Sequence, residues 1–291
     1  MVKRKTLGFY LALAGAALLV LFMLLPLIFM VCGSFMGAQE IERHYGILRD
    51  GGVSGGIYET PQYASLHFLP EQFTLEQYYR TALTTSAFWD NFWNTVLLTL
   101  PGLAGALVTS TLFGYGFAKF RFPGRRVFLF LNLIVMMLPY QVTLVPTFMV
   151  LDALDLIGSR AAVILPNCFT TFGCYLMYQY TDKVPDDILE YARIEGLGEI
   201  GVFFRIFLPQ MKTGAASLCV LNLIDGFSML EQPLIFLQDA AKQPLSVSLS
   251  YINQADITIA FVSGVLFVFP LLLVFLLGKD PLARGISESV I

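Results

Sequence analysis

The stretch TDKVPDDILEYARIEGLGEIGVFFRIFLPQMK, Thr181 to Lys212, decides the fold. It is polar, and it lies between two long apolar runs. Pro185, Asp186 and Asp187 predict a helix start, because proline suits a first turn and carboxylates suit its positive end. Ile188, Tyr191, Ala192 and Glu195 follow at helical spacing, which predicts one outward-facing surface. Gly196 and Gly198 end that helix and permit a tight bend, with a positive φ or a close backbone approach expected at Gly196. A second short helix is expected from about Glu199 to Phe207, stopped by Pro209. Together these form an elbow of two short helices, shaped to sit in a partner's groove. The plainer reading is an amphipathic loop without a partner.

The surrounding composition places this elbow on a membrane protein. The chain has 291 residues, 56% of them hydrophobic and 13% charged. Soluble domains carry about 25% charge, so most of this chain is expected in a bilayer. A net charge of −3 argues against nucleic acid as a partner. Cys32, Cys168, Cys174 and Cys219 lie in or beside apolar runs and read as small buried hydrophobes. His44 and His67 stand 23 positions apart in a polar segment and make no metal site by spacing alone.

Read in order, the apolar runs predict six transmembrane helices in an all-α membrane protein. The first is 8–32, long enough for a bilayer that needs about 20 residues, with Pro26 as a tolerated kink. An irregular polar segment follows, in which Thr74 is expected to cap a short helix and Gln77 to complete the capping box. The other spans are expected at 94–118, at 127–150 (broken by Pro139 and Pro146), and at 161–180, 214–237 and 258–278. The expected organisation is residues 1–35 for the N-terminal segment and first helix, 36–90 extracytoplasmic, 91–280 core domain with its loop at 181–213, and 281–291 tail. Six spans place Lys3, Arg4, Lys5, Lys119, Arg121, Arg125, Arg126, Lys183, Arg193, Arg205, Lys212, Lys279 and Arg284 on one side. Only Arg43, Arg49, Arg80, Arg160 and Lys242 fall on the other, so the positive-inside rule puts both termini and the elbow in the cytoplasm.

Glu190, Ala192, Ile194, Glu195 and Gly196, then nine residues, then Ile206, Leu208 and Pro209, resemble the Glu-Ala-Ala loop of bacterial ABC-importer permeases. The chain departs from that pattern at Tyr191, Glu195 and Leu197. The resemblance extends over roughly residues 73–291. The Phe-Pro-Gly turn in 119–124, the segment 243–249, Pro270 and Gly285 resemble the sugar-type, maltose-permease-like branch. The resemblance implies that Glu190, Tyr191, Ala192, Ile194, Glu195, Gly196, Gly198, Ile206, Leu208 and Pro209 couple to an ATPase through a coupling helix. It also implies a second homologous permease subunit, two ATP-hydrolysing subunits that carry ATP and Mg, and an extracytoplasmic solute-binding protein. The implied location is the bacterial cytoplasmic membrane, as a multi-pass protein working by alternating access. No cofactor is expected on this chain, since its only Gly-Lys pair, Gly278–Lys279, lacks the upstream glycine of a phosphate-cradling loop.

The fifth run carries Asn222, Asp225, Glu231 and Gln232, with Ser228 between them. Ionisable groups inside a bilayer are costly and normally face a cavity or partner. Asn222, Asp225 and Ser228 recur every three residues and can share a face, so these three and Glu231 are the candidate substrate pathway; the alternatives are helix locking or, for Glu231 and Gln232, a position at the outer membrane interface. Gly102, Gly105, Gly114 and Gly116 thin the second run, which favours close helix packing. No catalytic constellation stands out. The alternatives to a sugar permease are an ABC permease for a peptide, amino acid or ion, and an ion-coupled secondary transporter.

Overall fold

A computed structural model describes residues 7–46, 67–84 and 86–289, including all their side chains except those of 7–8, 252–255 and 280–289. The expectations for Lys3, Arg4, Lys5, Arg49, most of the polar segment and the end of the tail lie outside these. The described chain is helical, with no strand. Fifteen α-helical pieces follow in order: α1 Leu7–Gly33, α2 Ala38–Tyr45, α3 Glu76–Tyr79, α4 Ser86–Lys119, α5 Arg125–Met137, α6 Tyr140–Ala153, α7 Ala161–Asn167 and α8 Thr171–Asp182. Then come α9 Asp186–Ile194, α10 Glu199–Gly201, α11 Leu208–Gln210, α12 Lys212–Ser228, α13 Glu231–Phe236, α14 Leu245–Ala255 and α15 Ala260–Ser289.

Among the described residues, four helices are long and apolar enough to cross a membrane: Phe9–Gly33, Ser86–Lys119, Ala161–Asp182 and Ile257–Lys279. The α5–α6 pair makes a fifth if its 106° bend is counted within one span. The bend falls at Pro139, where φ is locked and the preceding Leu138 is extended (ψ 134°). Pro146, by contrast, lies inside α6 without breaking it. The run expected as a single helix over 214–237 is divided. It forms α12, then an extended Met229 (ψ 130°), then α13 with Pro233 in its first turn. The last helix, α15, runs on into the tail expected at 281–291 and continues to Ser289.

The described residues form two compact units, one from within 1–88 and 249–268 and the other from within 89–248 and 269–291. In the first, Met36, Ile41, Tyr45 and Ile257 are buried together against Phe29 and Phe261. Thr74 Oγ1 accepts a hydrogen bond from the Glu76 N–H (3.1 Å), but Thr74 is not the expected cap: α3 begins at Glu76 with Leu75 in the N-cap position and no side-chain cap bond there. Gln77 does not complete the box; it is fully buried, with neither side-chain polar atom hydrogen-bonded.

In the second unit α4 is the common wall. Leu98 packs with Leu151, Ala162, Val163, Phe236 and Leu237, and Tyr115 packs into a separate cluster at the elbow. At 1.5 Å per residue these two cores lie about 26 Å apart along α4. Close helix contact between them depends on glycine. A Cβ at Gly114 would stand 2.8 Å from the backbone carbonyl of Met177 on α8, whereas one at Gly116 would meet nothing within 4 Å. Backbone cannot be repacked as a side chain can, so Gly114→Ala should cost on the order of 1–3 kcal/mol. Gly116→Ala should be neutral or stabilising through helix propensity, by up to about 1 kcal/mol. Thermal unfolding of the purified variants checks this, and equal midpoints for the two would contradict it.

Candidate functional site

Two features stand out: the elbow and a cavity in the second unit. The elbow begins where α9 takes Asp186 and Asp187 into its first turn. Lys119, at the end of α4 with its side chain only 4% exposed, donates to the Val184 carbonyl and to Asp186 Oδ1, the latter at 2.7 Å. That ammonium holds the Asp186 carboxyl below its ordinary range. A depressed folded pKa means the contact is fully present above the ordinary carboxylate range and is lost as pH falls through the lowered value. The basic turn after α4 is thus tied to the start of the elbow, a link that needed tertiary structure to see.

The helix α9 ends at a left-handed glycine. Gly196 has φ +88° with nothing within 4 Å of an ideal Cβ, so its need for glycine is conformational rather than steric. The Gly196 N–H donates to Arg193 O (3.0 Å) and the Leu197 N–H to Ala192 O (3.1 Å). This is the Schellman pattern, and Leu197 packs in the cluster that buries Ala192. Gly198, also expected to permit the bend, has extended backbone (φ −67°, ψ 163°) that any residue adopts. Across the turn Arg193 donates to both oxygens of Glu199, at 2.7 and 3.3 Å, and Tyr115 OH reaches Glu199 Oε2 at 3.3 Å. The guanidinium lowers the Glu199 pKa, and the carboxylate raises that of Arg193. A fork-shaped pair braces the bend in one angle.

After α10 the chain winds as a π-helix over Val202–Phe207 before α11. Pro209 therefore does not stop the second elbow helix; the wide turn ahead of it accommodates the missing N–H, and α11 runs on to Gln210.

Burial sorts the expected coupling residues. Glu190, Tyr191 (70% exposed), Ile194 (80%), Glu195, Gly196, Gly198, Leu208 and Pro209 are exposed, while Ile206 is half-buried. Ala192 is a correction: with Leu189 it faces the core, because positions i and i+3 of α9 share the inner face. Ile188, Ile200 and Phe204 are also exposed, so the elbow presents an apolar surface with Tyr191 and Ile194. Sequence reading missed Ile200 and Phe204, whose signal is large apolar side chains within a polar loop.

The cavity measures about 800 Å³ and brings all four pathway candidates together: Asn222, Asp225, Ser228 and Glu231. It lies where three helix breaks meet, at Leu138–Tyr140, Phe169–Thr170 and Met229–Leu230. Gln141 Nε2 donates to Glu231 Oε1 (3.0 Å), and Asn167 Nδ2 to Gln232 Oε1 (3.0 Å), which links the walls. Ser228 Oγ donates to Ile224 O. Asn222 and Asp225 make no hydrogen bond to the described residues, so both present polar atoms to the space. Thr99, Thr143 and Thr147 add hydroxyls, and Tyr140 and Phe169 add aromatic surface. Gln141 and Asn167 carry the same sequence signal as Gln232, an amide inside an apolar run. Such a wall of donors, acceptors and rings suits a polyhydroxylated solute.

Residues 110–288 match the family model described as binding-protein-dependent transport system inner membrane component. The chain is 27% identical to the arabinooligosaccharides transport system permease protein AraQ of Halalkalibacterium halodurans, over 98% of each. It is 31% identical to AraQ of Bacillus subtilis, over 69% of this chain and 73% of that one. It is 28% identical to the lactose transport system permease protein LacG of Rhizobium radiobacter, over 68% of this chain and 74% of that one. In fold it is similar to a chain of a bacterial ABC transporter involved in the import of the acidic polysaccharide alginate. That match has TM-score 0.76 and 20% identity, and covers 96% of this chain and 99% of the other. The chain is a multi-pass membrane protein and belongs to the family of inner membrane components of binding-protein-dependent transport systems.

Proposed function

We propose that this chain is the permease subunit of an ATP-driven importer for a sugar or oligosaccharide. The observation that carries the reading is the braced elbow with its exposed apolar surface, in a member of this family. Relatives named for arabinooligosaccharide and lactose transport support the cargo class, as does the polar, partly aromatic cavity. In this reading six membrane segments, α12–α13 included, place both termini and the elbow in the cytoplasm of a bacterial inner-membrane protein. The basic residues on that side support the orientation. A second, homologous permease completes the pathway, an extracytoplasmic solute-binding protein delivers cargo, and two ATPase subunits bind ATP and Mg. This chain binds no nucleotide and is not itself an enzyme.

The mechanism is alternating access. Closure of the ATPases pushes on Tyr191, Ile194, Ile200 and Phe204. The Lys119–Asp186 and Arg193–Glu199 contacts pass that push to α4 and across the bend, so the elbow moves as a unit. Solute in the cavity meets Asn222, Asp225 and Ser228 on one wall and the Gln141–Glu231 pair on another. Opening and closing that space requires the broken helices to shift against one another.

Gly196→Val forces a β-branched residue into φ +88°, at a cost of about 1–3 kcal/mol. That strain is too small to unfold the packed spans but misplaces the lever. The variant should insert at normal abundance, fail to import, and lose stimulation of ATP hydrolysis by loaded binding protein. Transport and ATPase assays on one purified complex check this, and normal values in both would contradict the coupling role.

Asp225→Ala should leave assembly and basal ATP hydrolysis intact while lowering uptake about tenfold, the worth of one lost hydrogen bond to a charged group. Uptake measured across substrate concentrations checks it. Unchanged uptake would remove Asp225 from the pathway.

A further inference from the structure

The chain contains two histidines, and the fold stacks one on the other. Their distance in sequence gave no reason to expect this. The His44 and His67 rings lie 4.3 Å apart by centroid at an interplanar angle of 23°. Glu71 completes the group, with Oε1 3.6 Å from His44 Nε2. One ligand atom from each of the three lies within 4.8 Å of the others.

We propose that His44, His67 and Glu71 form a binding site for one divalent zinc ion. Two imidazoles and one carboxylate, with a fourth position open to water, form a donor set that suits zinc. Zinc ligands at about 2.0–2.2 Å bond lengths stand roughly 3.4 Å apart, so the group closes by about 1 Å on binding. Side-chain rotation supplies that, because His67 and Glu71 are exposed.

The backbone is already arranged for the purpose. Tyr45, beside His44 at the end of α2, donates through its hydroxyl to His67 O at 2.9 Å and accepts from the His67 N–H at 3.0 Å. The buried Glu40, also on α2, accepts from the Glu71 N–H at 2.8 Å. Both donor-bearing residues of the 67–71 segment are therefore pinned to the helix that carries His44. Glu71 also meets Arg43, but through Oε2 at 3.5 Å between exposed side chains, which leaves Oε1 to the imidazoles. An exposed pair of that kind is a weak competitor for a metal ligand. Bound zinc would bridge two positions 23 apart and clip the 67–71 segment to α2.

The test uses the full chain in its purified transporter complex, stripped with a chelator and titrated with Zn²⁺ in equilibrium dialysis. The expected result is one zinc per copy of this chain, weakened about tenfold or more by His44→Ala, His67→Ala or Glu71→Gln. Cobalt substituted into the wild-type complex should give a nitrogen- and oxygen-ligated spectrum without thiolate charge transfer, which separates this site from the four cysteines. Retention of the same zinc by the double histidine variant, a thiolate spectrum, or no zinc uptake would overturn the proposal.

Discussion

A helix that ends inside an apolar medium leaves N–H and C=O groups without water, and that constraint organises this molecule. Each unpaired group costs several kcal/mol in hydrocarbon, so the chain stays helical wherever lipid surrounds it. The apolar α1 shows the rule: its membrane window is 0% buried within the chain and unbroken by Pro26. The breaks within the second unit's long apolar runs gather where the rule is relaxed. Those at Leu138–Tyr140, Phe169–Thr170 and Met229–Leu230 open on one polar cavity, where solute or water can satisfy exposed backbone. The place where helices can stop is therefore also the place where a polar cavity can form.

The elbow obeys the same constraint at a water boundary by other means. Its first helix is closed by the Schellman hydrogen bonds around Gly196, and its second is widened into a π-helix before Pro209. Charge pairs then stiffen both ends, Lys119 to Asp186 at the entry and Arg193 to Glu199 across the bend. The buried Lys119 amine matters more than the exposed Asp186 it meets, because it also satisfies the Val184 carbonyl and ties α4 to the elbow. Stiffness suits a lever: a partner's push on an apolar patch is useful only if the patch does not give way.

Much of this was legible in the sequence, and the exceptions have physical causes. The elbow, its acidic helix start and the left-handed Gly196 could be read because proline, carboxylates and glycine act locally. Spacing alone places Ala192 with Tyr191 on the outer face because it gives relative, not absolute, orientation; the Tyr115 and Phe207 cluster decides which side is inward. Pro209 stops a regular α-helix, but the turn ahead of it is a π-helix, which the sequence does not signal. The run 214–237 reads as one unbroken helix because hydropathy averages over the extended Met229. His44 and His67 were read as separate because their meeting depends on Tyr45 and Glu40, contacts no spacing rule contains.

The central claim is that the elbow faces the cytoplasm and docks on the ATPase. The most direct measurement places a single cysteine at Glu195, in a chain whose native cysteines are replaced, and adds a short crosslinker to membranes carrying the complex. The account predicts a crosslink between this chain and the ATPase subunit, and protection from a membrane-impermeant thiol reagent in intact cells. Labelling of that cysteine from outside, with no crosslink to the ATPase, would contradict it.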